Sequence, residues 1–203
     1  MTALSVINKD KQTIKIDDNV LMEVKTYLYK LDVIASIKEV VSPTYIERER
    51  IIFTQPGLRY AQAKLLVDIL FKDKSLLAYD YALLEALKEK LLSDVKGKMV
   101  EDILIYETSL YNKNTFKLYF LLGGEYDMVT LDDETYESSI CEIKYSNVVN
   151  SKQYRFLNDS NLNQTFEKKY YPIKNRVVFY QGESKQVDNI LYKNIDEYLK
   201  NIK

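Results

Sequence analysis

Histidine is absent from this chain of 203 residues, and cysteine occurs once, as Cys141. Without histidine, the sequence excludes Ser-His-Asp and Cys-His catalysis, histidine-ligated zinc and a histidine general base. A single cysteine cannot form an intramolecular disulfide, which is typical of a reducing compartment. The chemistry that remains to this protein is that of carboxylates, lysines and hydroxyl groups.

Long apolar runs and a strong net charge are missing as well. No apolar run approaches the roughly 18 residues of a membrane span, and the N-terminus lacks a signal-peptide pattern. We therefore expect a cytoplasmic protein with no membrane partner. The formal net charge is −1, which gives no general attraction to nucleic acid, so DNA binding would need a local basic patch.

Two clusters of basic residues are candidates for such a patch. Their side chains can contact phosphates, although clusters of this kind are more often ordinary solvated surface. The stronger cluster contains Lys168, Lys169, Lys174 and Arg176, and the second contains Arg48, Arg50 and Arg59.

The length and the hydrophobic fraction of 46% indicate one large globular domain, or one domain with a smaller appendage. Apolar residues recur at helical spacing from Asp17 to about residue 31, and two β-rich runs follow. A helix followed by a two-stranded wing is the closing half of a winged-helix unit. We expect a partial winged helix over residues 1–55 and, because its opening helices are missing, a shortened protein or a fragment.

The rest of the chain, residues 56–203, alternates between helical and β-rich segments. Periodicity and turn residues predict the order helix, three strands, helix, strand, helix, which is an α/β (α+β) fold. Gly97 is expected to interrupt the helical region before the three strands. The predicted helices lie at 58–71, 76–95, 99–107, 151–158 and 195–202, and the predicted strands at 33–41, 45–54, 115–122, 126–131, 139–146 and 176–180.

Three charged residues in these strands indicate a site. Side chains alternate between the faces of a strand, so Glu142 and Lys144 share one face. If the strands at 126–131 and 139–146 form a hairpin, Asp127 is carried close to Glu142. Mg²⁺ takes oxygen ligands, usually one or two carboxylates, and a lysine beside it can stabilise charge on a phosphodiester. The sequence thus predicts Asp127 and Glu142 as ligands of Mg²⁺ or Mn²⁺ and Lys144 as a catalytic lysine.

Glu101, on the preceding helix, is a further candidate, as an outer metal ligand or a group that accepts a metal-bound water. The alternative is a solvated strand face on which these charges form a surface ion pair of little energetic value. The Glu-x-Lys spacing does not decide between the two, because it recurs at Glu23, Glu167 and Glu183.

The surroundings of these residues resemble a known module. The stretches Gly97-Lys-Met-Val-Glu101, Gly124-Glu-Tyr-Asp127 and Glu142-Ile-Lys144 resemble the PD-(D/E)XK, restriction-endonuclease-like module. From about residue 17 onward the chain resembles the C-terminal region of prokaryotic AAA-type ATP-binding proteins, in which a winged-helix segment and a PD-(D/E)XK domain follow the ATPase. Residues 52–59 resemble the junction between those two parts.

The resemblance implies a restriction-endonuclease-like αβββαβ core over residues 56–203, preceded by the partial winged helix. It places metal ligands at Glu101, Asp127 and Glu142, with Lys144 and Glu101 in catalytic roles. Gln153 falls where related nucleases often place a polar residue toward the site, although an ordinary exposed position is the simpler interpretation. The basic residues at 168, 169, 174 and 176 are then the candidate DNA contacts.

Two functions follow from this resemblance. The first is a metal-dependent DNA nuclease in which a metal-activated water attacks a phosphodiester. The second is a catalytically inactive interaction or regulatory module of an AAA-type ATPase system, which contacts an ATPase module or a second copy of itself. The chain departs from the family in lacking the phosphate-binding Gly-x-x-x-x-Gly-Lys-Ser/Thr loop, and Glu125-Tyr126 replaces the proline of the nuclease motif.

Overall fold

The computed structural model describes residues 4–7, 13–72, 79–121 and 123–202, which form a mixed α/β fold. None of the helices in these segments is both long and apolar enough to cross a membrane. The strands are β1 (Leu4–Ile7), β2 (Thr13–Ile16), β3 (Ile34–Ser42), β4 (Ile46–Phe53), β5 (Thr115–Phe120), β6 (Glu125–Asp132), β7 (Glu137–Ile143), β8 (Ile173–Tyr180), β9 (Lys185–Val187) and β10 (Ile190–Asn194). The helices are α1 (Asp18–Lys30), α2 (Pro56–Leu70), α3 (Tyr81–Tyr111), α4 (Ser160–Glu167) and α5 (Ile195–Asn201), with a 3₁₀ helix at Ser151–Asn158.

Eight of the strands form one mixed sheet in the order β4-β3-β5-β6-β7-β8-β10-β9, while β1 and β2 pair separately. Strands β5, β6 and β7 are an antiparallel meander, and β8 lies parallel to β7. A parallel pair needs a crossover, which the 3₁₀ helix and α4 supply between β7 and β8. Helices α2 and α3 connect β4 to β5, which pairs in parallel with β3.

Helices cover both faces of this sheet. On one face, Leu157 of the 3₁₀ helix and Phe166 of α4 pack in an apolar cluster with Leu118 of β5. On the other face, Leu104 of α3 and Ile195 of α5 belong to a second cluster. The sheet is therefore the middle layer of three, and α3 is the helix that overlies β5, β6 and β7.

The first part of the chain confirms most of the local predictions. Asp17 caps α1, since its carboxylate accepts a hydrogen bond from the Val20 N–H at 2.9 Å. Strands β3 and β4 and helix α2 begin and end within two residues of their predicted positions. The hairpin β3–β4 is hydrogen-bonded into the main sheet through β5. Strands from both sides of the predicted division at residues 55 and 56 share this sheet. The division itself stays a prediction.

The predicted helix break at Gly97 is wrong. Helix α3 runs without interruption for 31 residues, although its predicted start at residue 76 lies outside the described residues. Glycine in a helix interior costs about 1 kcal/mol relative to alanine, which is too little to break a helix whose later turns are packed against the sheet. A methyl group at Gly97 would meet nothing within 4 Å.

Helix α4 and strands β9 and β10 were not predicted from the sequence. Helix α4 has a cap signal in Asp159, whose carboxylate accepts hydrogen bonds from the Asn161 and Leu162 N–H groups. At eight residues it shows too few turns for a clear period. Strands β9 and β10 are three and five residues long, and β10 is fixed by parallel pairing with β8.

We expect Gly97→Ala to stabilise the protein by about 1 kcal/mol, because alanine favours the helix and the new methyl group meets open space. Urea denaturation followed by circular dichroism measures this. Gly182→Ala is the matched control, since its methyl group would collide with the Tyr180 ring and with the Asn147 carbonyl at 2.9 Å. That variant should lose about 1–3 kcal/mol. Equal changes in the two variants would contradict the structure around Gly97.

Candidate functional site

A polar cleft lies between the middle of α3 and the ends of strands β6 and β7. Its volume is about 380 Å³. Helix α3 contributes residues spaced along one face, including Glu101, and the strands contribute Asp127 and Lys144, while Glu142 is not among the lining residues. The lining residues are Ser93, Asp94, Gly97, Lys98, Glu101, Glu125, Asp127, Ile143, Lys144 and Tyr145.

A bulge in β6 aims Asp127 toward α3. Leu118 pairs with Tyr126 and Phe116 with Val129, so the single residue Lys117 lies opposite two residues of β6, Asp127 and Met128. Bulges of this kind bend a strand and redirect its side chains. The Asp127 carboxylate is 3% exposed. It accepts a hydrogen bond from the Ile143 N–H at Oδ2 (2.9 Å), and its Oδ1 accepts one from Lys117 Nζ (3.1 Å).

Glu142 and Lys144 meet Asp127 at the end of β7, as predicted from the hairpin. Lys144 Nζ lies 3.8 Å from Asp127 Oδ2 and forms an ion pair with Glu142 Oε1. Glu142 is 5% exposed, and its Oε2 has no hydrogen-bond partner among the residues that the structure describes. The alternative of a solvated strand face is wrong, because both carboxyl groups are buried.

Cys141, the neighbour of Glu142, takes no part in this cluster of charges. It packs with Ile143 in the apolar cluster beneath α3. Burial raises the pKa of its thiol to about 12, so it is not a thiolate at neutral pH. The thiol is structural, as the strand alternation indicated.

Lys117 is the residue of this site that the sequence analysis missed. It is fully buried, and its ammonium group lies 2.7 Å from Glu101 Oε1, 3.1 Å from Asp127 Oδ1 and 3.2 Å from Glu125 Oε2. An ammonium group has three donors; here it donates hydrogen bonds to Glu101 and Asp127 and forms an ion pair with Glu125. The sequence did contain a signal for Lys117, since it lies between Phe116 and Leu118 in an apolar strand. A lysine buried in such a strand needs a partner of opposite charge.

Glu101 reaches the site from α3 but is occupied by cations. Its Oε1 accepts a hydrogen bond from Lys117 and another, at 2.5 Å, from Lys98 on the next turn of the helix. Arg50 Nη2 lies 3.8 Å from the same oxygen. The structure thus brings Glu101 to the cleft, as predicted, in the company of three positive groups.

The charges in the cleft shift the pKa values of its groups in opposite directions. Burial, then the charge of Asp127, raises the pKa of Glu142 to about 8, against the attraction of Lys144. Burial opposes ionisation of Asp127 too, but Lys117 and then Lys144 outweigh it and hold its pKa below the usual value. For Lys117, the charges of Asp127 and Glu101 overcome burial and raise the pKa. Asp127 and Lys117 are therefore ionised at pH 7, while burial and the charge of Asp127 make the proton of Glu142 harder to remove than that of an exposed glutamate.

A second ion cluster lies beside the first. Asp102, the neighbour of Glu101, receives Arg50 Nη2 at 2.5 Å and forms a further ion pair with Arg59. Arg50 Nε also lies 2.9 Å from Glu39. Burial raises the pKa of Asp102, although Arg50 and Arg59 act in the other direction. These two arginines, predicted as candidate phosphate contacts, instead fix α3 to β4 and α2.

None of the five residues predicted as DNA contacts lines the cleft. Gln153 accepts a hydrogen bond from the Asn150 N–H and completes the cap of the 3₁₀ helix. Arg176 lies two residues away from the level of Glu142 along the paired strands, because it pairs with Ile140 while Glu142 pairs with Val178. The four basic residues have other contacts. Lys174 binds Glu137 at 2.9 Å, and Arg176 donates a hydrogen bond to the Leu157 carbonyl. Lys169 lies over the Tyr45 ring, and Lys168 is exposed at the end of α4.

The donor set fits one magnesium-like ion at Asp127 and Glu142. Among the described residues, no group of three or more histidine, cysteine, aspartate or glutamate side chains is arranged to hold a metal. Mg²⁺ usually takes only one or two carboxylates and keeps several waters. Asp127 and Glu142 both lie against the same ammonium group, that of Lys144. The unpartnered Glu142 Oε2 supplies a ligand oxygen.

We expect Glu142 to make the stability of the metal-free protein depend on pH. The folded chain keeps this proton up to about pH 8, whereas the unfolded chain loses it near pH 4.5, so stability falls as pH rises between these values. The slope contributed by one such group is at most about 1.4 kcal/mol per pH unit. Urea denaturation at several pH values, with a chelator present, compares the wild type with Glu142→Gln.

The variant should show a flatter profile than the wild type between pH 5 and pH 8. Glu134→Gln, in the exposed turn between β6 and β7, is the control and should keep the wild-type profile. Identical profiles for the wild type and Glu142→Gln would show that Glu142 is ionised in the folded chain at neutral pH.

Comparisons with known proteins add no relative to these observations. No protein family, no curated protein and no solved structure matches this chain. The case for a function therefore depends on the residues of the cleft and on the order of the elements that carry them.

Proposed function

We propose that this chain is a metal-dependent nuclease-like domain of the PD-(D/E)XK type that acts on or binds DNA. The observation that carries the proposal is the convergence of Asp127, Glu142 and Lys144 from two paired strands: Asp127 and Lys144 line the cleft, and Glu142 pairs with Lys144. The two carboxyl groups are buried, and Lys144 lies between them. Buried charges without a task are costly, so groups of this kind are candidates for functional residues.

The order of elements supports the same proposal. Helix α3, strands β5, β6 and β7, helix α4 and strand β8 follow one another as helix, three strands, helix and strand. This is the αβββαβ order that the motif resemblance implies. Asp127 lies near the start of the second strand and Glu142 near the end of the third, in the positions that the module gives to its acidic residues.

Each residue of the cleft has a distinct task in this proposal. Asp127 and Glu142 would hold Mg²⁺ or Mn²⁺, which when bound supplies an activated water and a Lewis acid for a phosphodiester. The Ile143 N–H and Lys117 fix the orientation of the Asp127 carboxylate from two sides. Lys117 and then Lys144 keep that carboxylate ionised, and Lys144 presents an ammonium group to the charge that develops on the phosphate.

The test is DNA cleavage by the purified chain. Plasmid and single-stranded DNA are incubated with the protein in Mg²⁺ or Mn²⁺, and we expect nicked or degraded products. Lys144→Ala should lower the rate by at least about 100-fold, as loss of one transition-state donor commonly does. Lys113→Ala removes an exposed lysine outside the cleft and should leave the rate unchanged. Equal rates for the wild type and Lys144→Ala would contradict the proposal.

One observation favours a second candidate, a non-catalytic interaction or regulatory module of an AAA-type ATPase system. Lys98, Lys117 and Lys144 already neutralise carboxyl groups of the cleft, so the cluster can be stable without a metal. The solvent-facing side of α2 also carries large apolar residues, which suit contact with an ATPase module or a second copy of the chain. These are Leu58, Leu65, Leu66, Ile69 and Leu70. Absence of cleavage in all variants, with the fold intact, favours this candidate.

A further inference from the structure

Lys117 divides the acidic cluster into two compartments. On one side, its ammonium group is surrounded by Glu101, Glu125 and the Oδ1 atom of Asp127. On the other side, Asp127 Oδ2 faces Lys144, and Lys144 pairs with Glu142. The two oxygens of one carboxylate thus point to different cations.

The first compartment has no capacity left for another ion. Three carboxylate oxygens lie within 3.2 Å of Lys117 Nζ, and Glu101 also binds Lys98. A metal bound to Asp127 Oδ1 at about 2.1 Å would lie next to the ammonium nitrogen, which is 3.1 Å from the same oxygen. Two cations at such a distance repel strongly in a buried site, where water screens them little.

The second compartment differs in that it contains an unused ligand. Glu142 Oε2 is buried and has no hydrogen-bond partner in the described part of the chain, and the Lys144 ammonium group lies against both Glu142 Oε1 and Asp127 Oδ2. A divalent ion there would satisfy Oε2. Lys144 is less of an obstacle than Lys117, because its side chain is 28% exposed and can move toward solvent.

We propose that the Lys117 ammonium group is a built-in cation that takes the place of a second metal ion, so that the site binds a single divalent cation, at Asp127 and Glu142. This inference rests on the proposed function for its metal, and it specifies chemistry with one metal ion rather than two. Lys117 is then a positioning residue. It fixes Glu101, Glu125 and one oxygen of Asp127, and it leaves the other oxygen, which accepts the Ile143 N–H, with a second lone pair for the metal.

The test is metal stoichiometry, which does not require DNA or activity. Mn²⁺ is titrated into the metal-free protein, with bound ions counted by calorimetry and free ions by electron paramagnetic resonance. We expect one ion per wild-type chain. Lys117→Met removes the charge but keeps the length of the side chain, and we expect two ions per chain. Lys113→Met, at an exposed position outside the cleft, should bind one ion as the wild type does.

The thermal stability of Lys117→Met is a second readout, because this variant removes the cation that three carboxylates share. Mn²⁺ should raise its melting temperature more than that of the wild type, since two bound ions stabilise more than one. A variant that folds only when Mn²⁺ is present supports the proposal as well. If Lys117→Met does not fold under either condition, the wild-type stoichiometry decides.

The outcomes separate this inference from the proposed function. Two ions per wild-type chain would overturn the role of Lys117 and leave the metal-dependent function in place. No ion bound by the wild type would contradict the metal-dependent function itself. If the wild type binds no ion, one ion bound by Lys117→Met supports the built-in cation, whereas no ion bound by that variant overturns it. One ion bound by both proteins also overturns it.

Discussion

The buried ammonium group of Lys117 is the interaction on which the cleft depends. It joins α3, through Glu101, to strand β6, through Glu125 and Asp127. Breaking a buried ion pair by removing one partner typically costs about 3–5 kcal/mol, because the remaining charge is left uncompensated. The bulge in β6 places Asp127 and Met128 together opposite this lysine.

The neighbouring ion cluster extends this connection to the start of the chain. Asp102 follows Glu101 on α3 and binds Arg50 from β4 and Arg59 from α2. Two successive acidic residues of one helix therefore connect to two different parts of the fold. The middle of α3 is held by ion pairs, while its later turns are held by the apolar contacts of Leu104 and Ile105.

Functionally, the cleft combines groups that favour a metal with groups that replace one. Glu142 has an unpartnered oxygen and a pKa of about 8, both of which a divalent ion would correct. Glu101 and Glu125 are already bound to lysine. This asymmetry is the reason that we favour a site for one ion. It also explains why a catalytic and a purely structural interpretation of the same carboxylates are both physically reasonable.

The sequence by itself determined the features that follow from helix capping, strand alternation and turn residues. The cap at Asp17, the hairpin of β6 and β7, and the approach of Asp127, Glu142 and Lys144 follow from local spacing and alternation. It could not give the bulge at Asp127, because a bulge departs from regular strand alternation. It could not give the partners of Lys117 on α3 or the pairing of Arg50 and Arg59 with Asp102, because these depend on how separate elements pack together. Gly97 shows the same limit, since its place inside a continuous helix was decided by the packing of α3. Local patterns thus indicated which residues would meet, and only the tertiary structure decided which charges would neutralise one another.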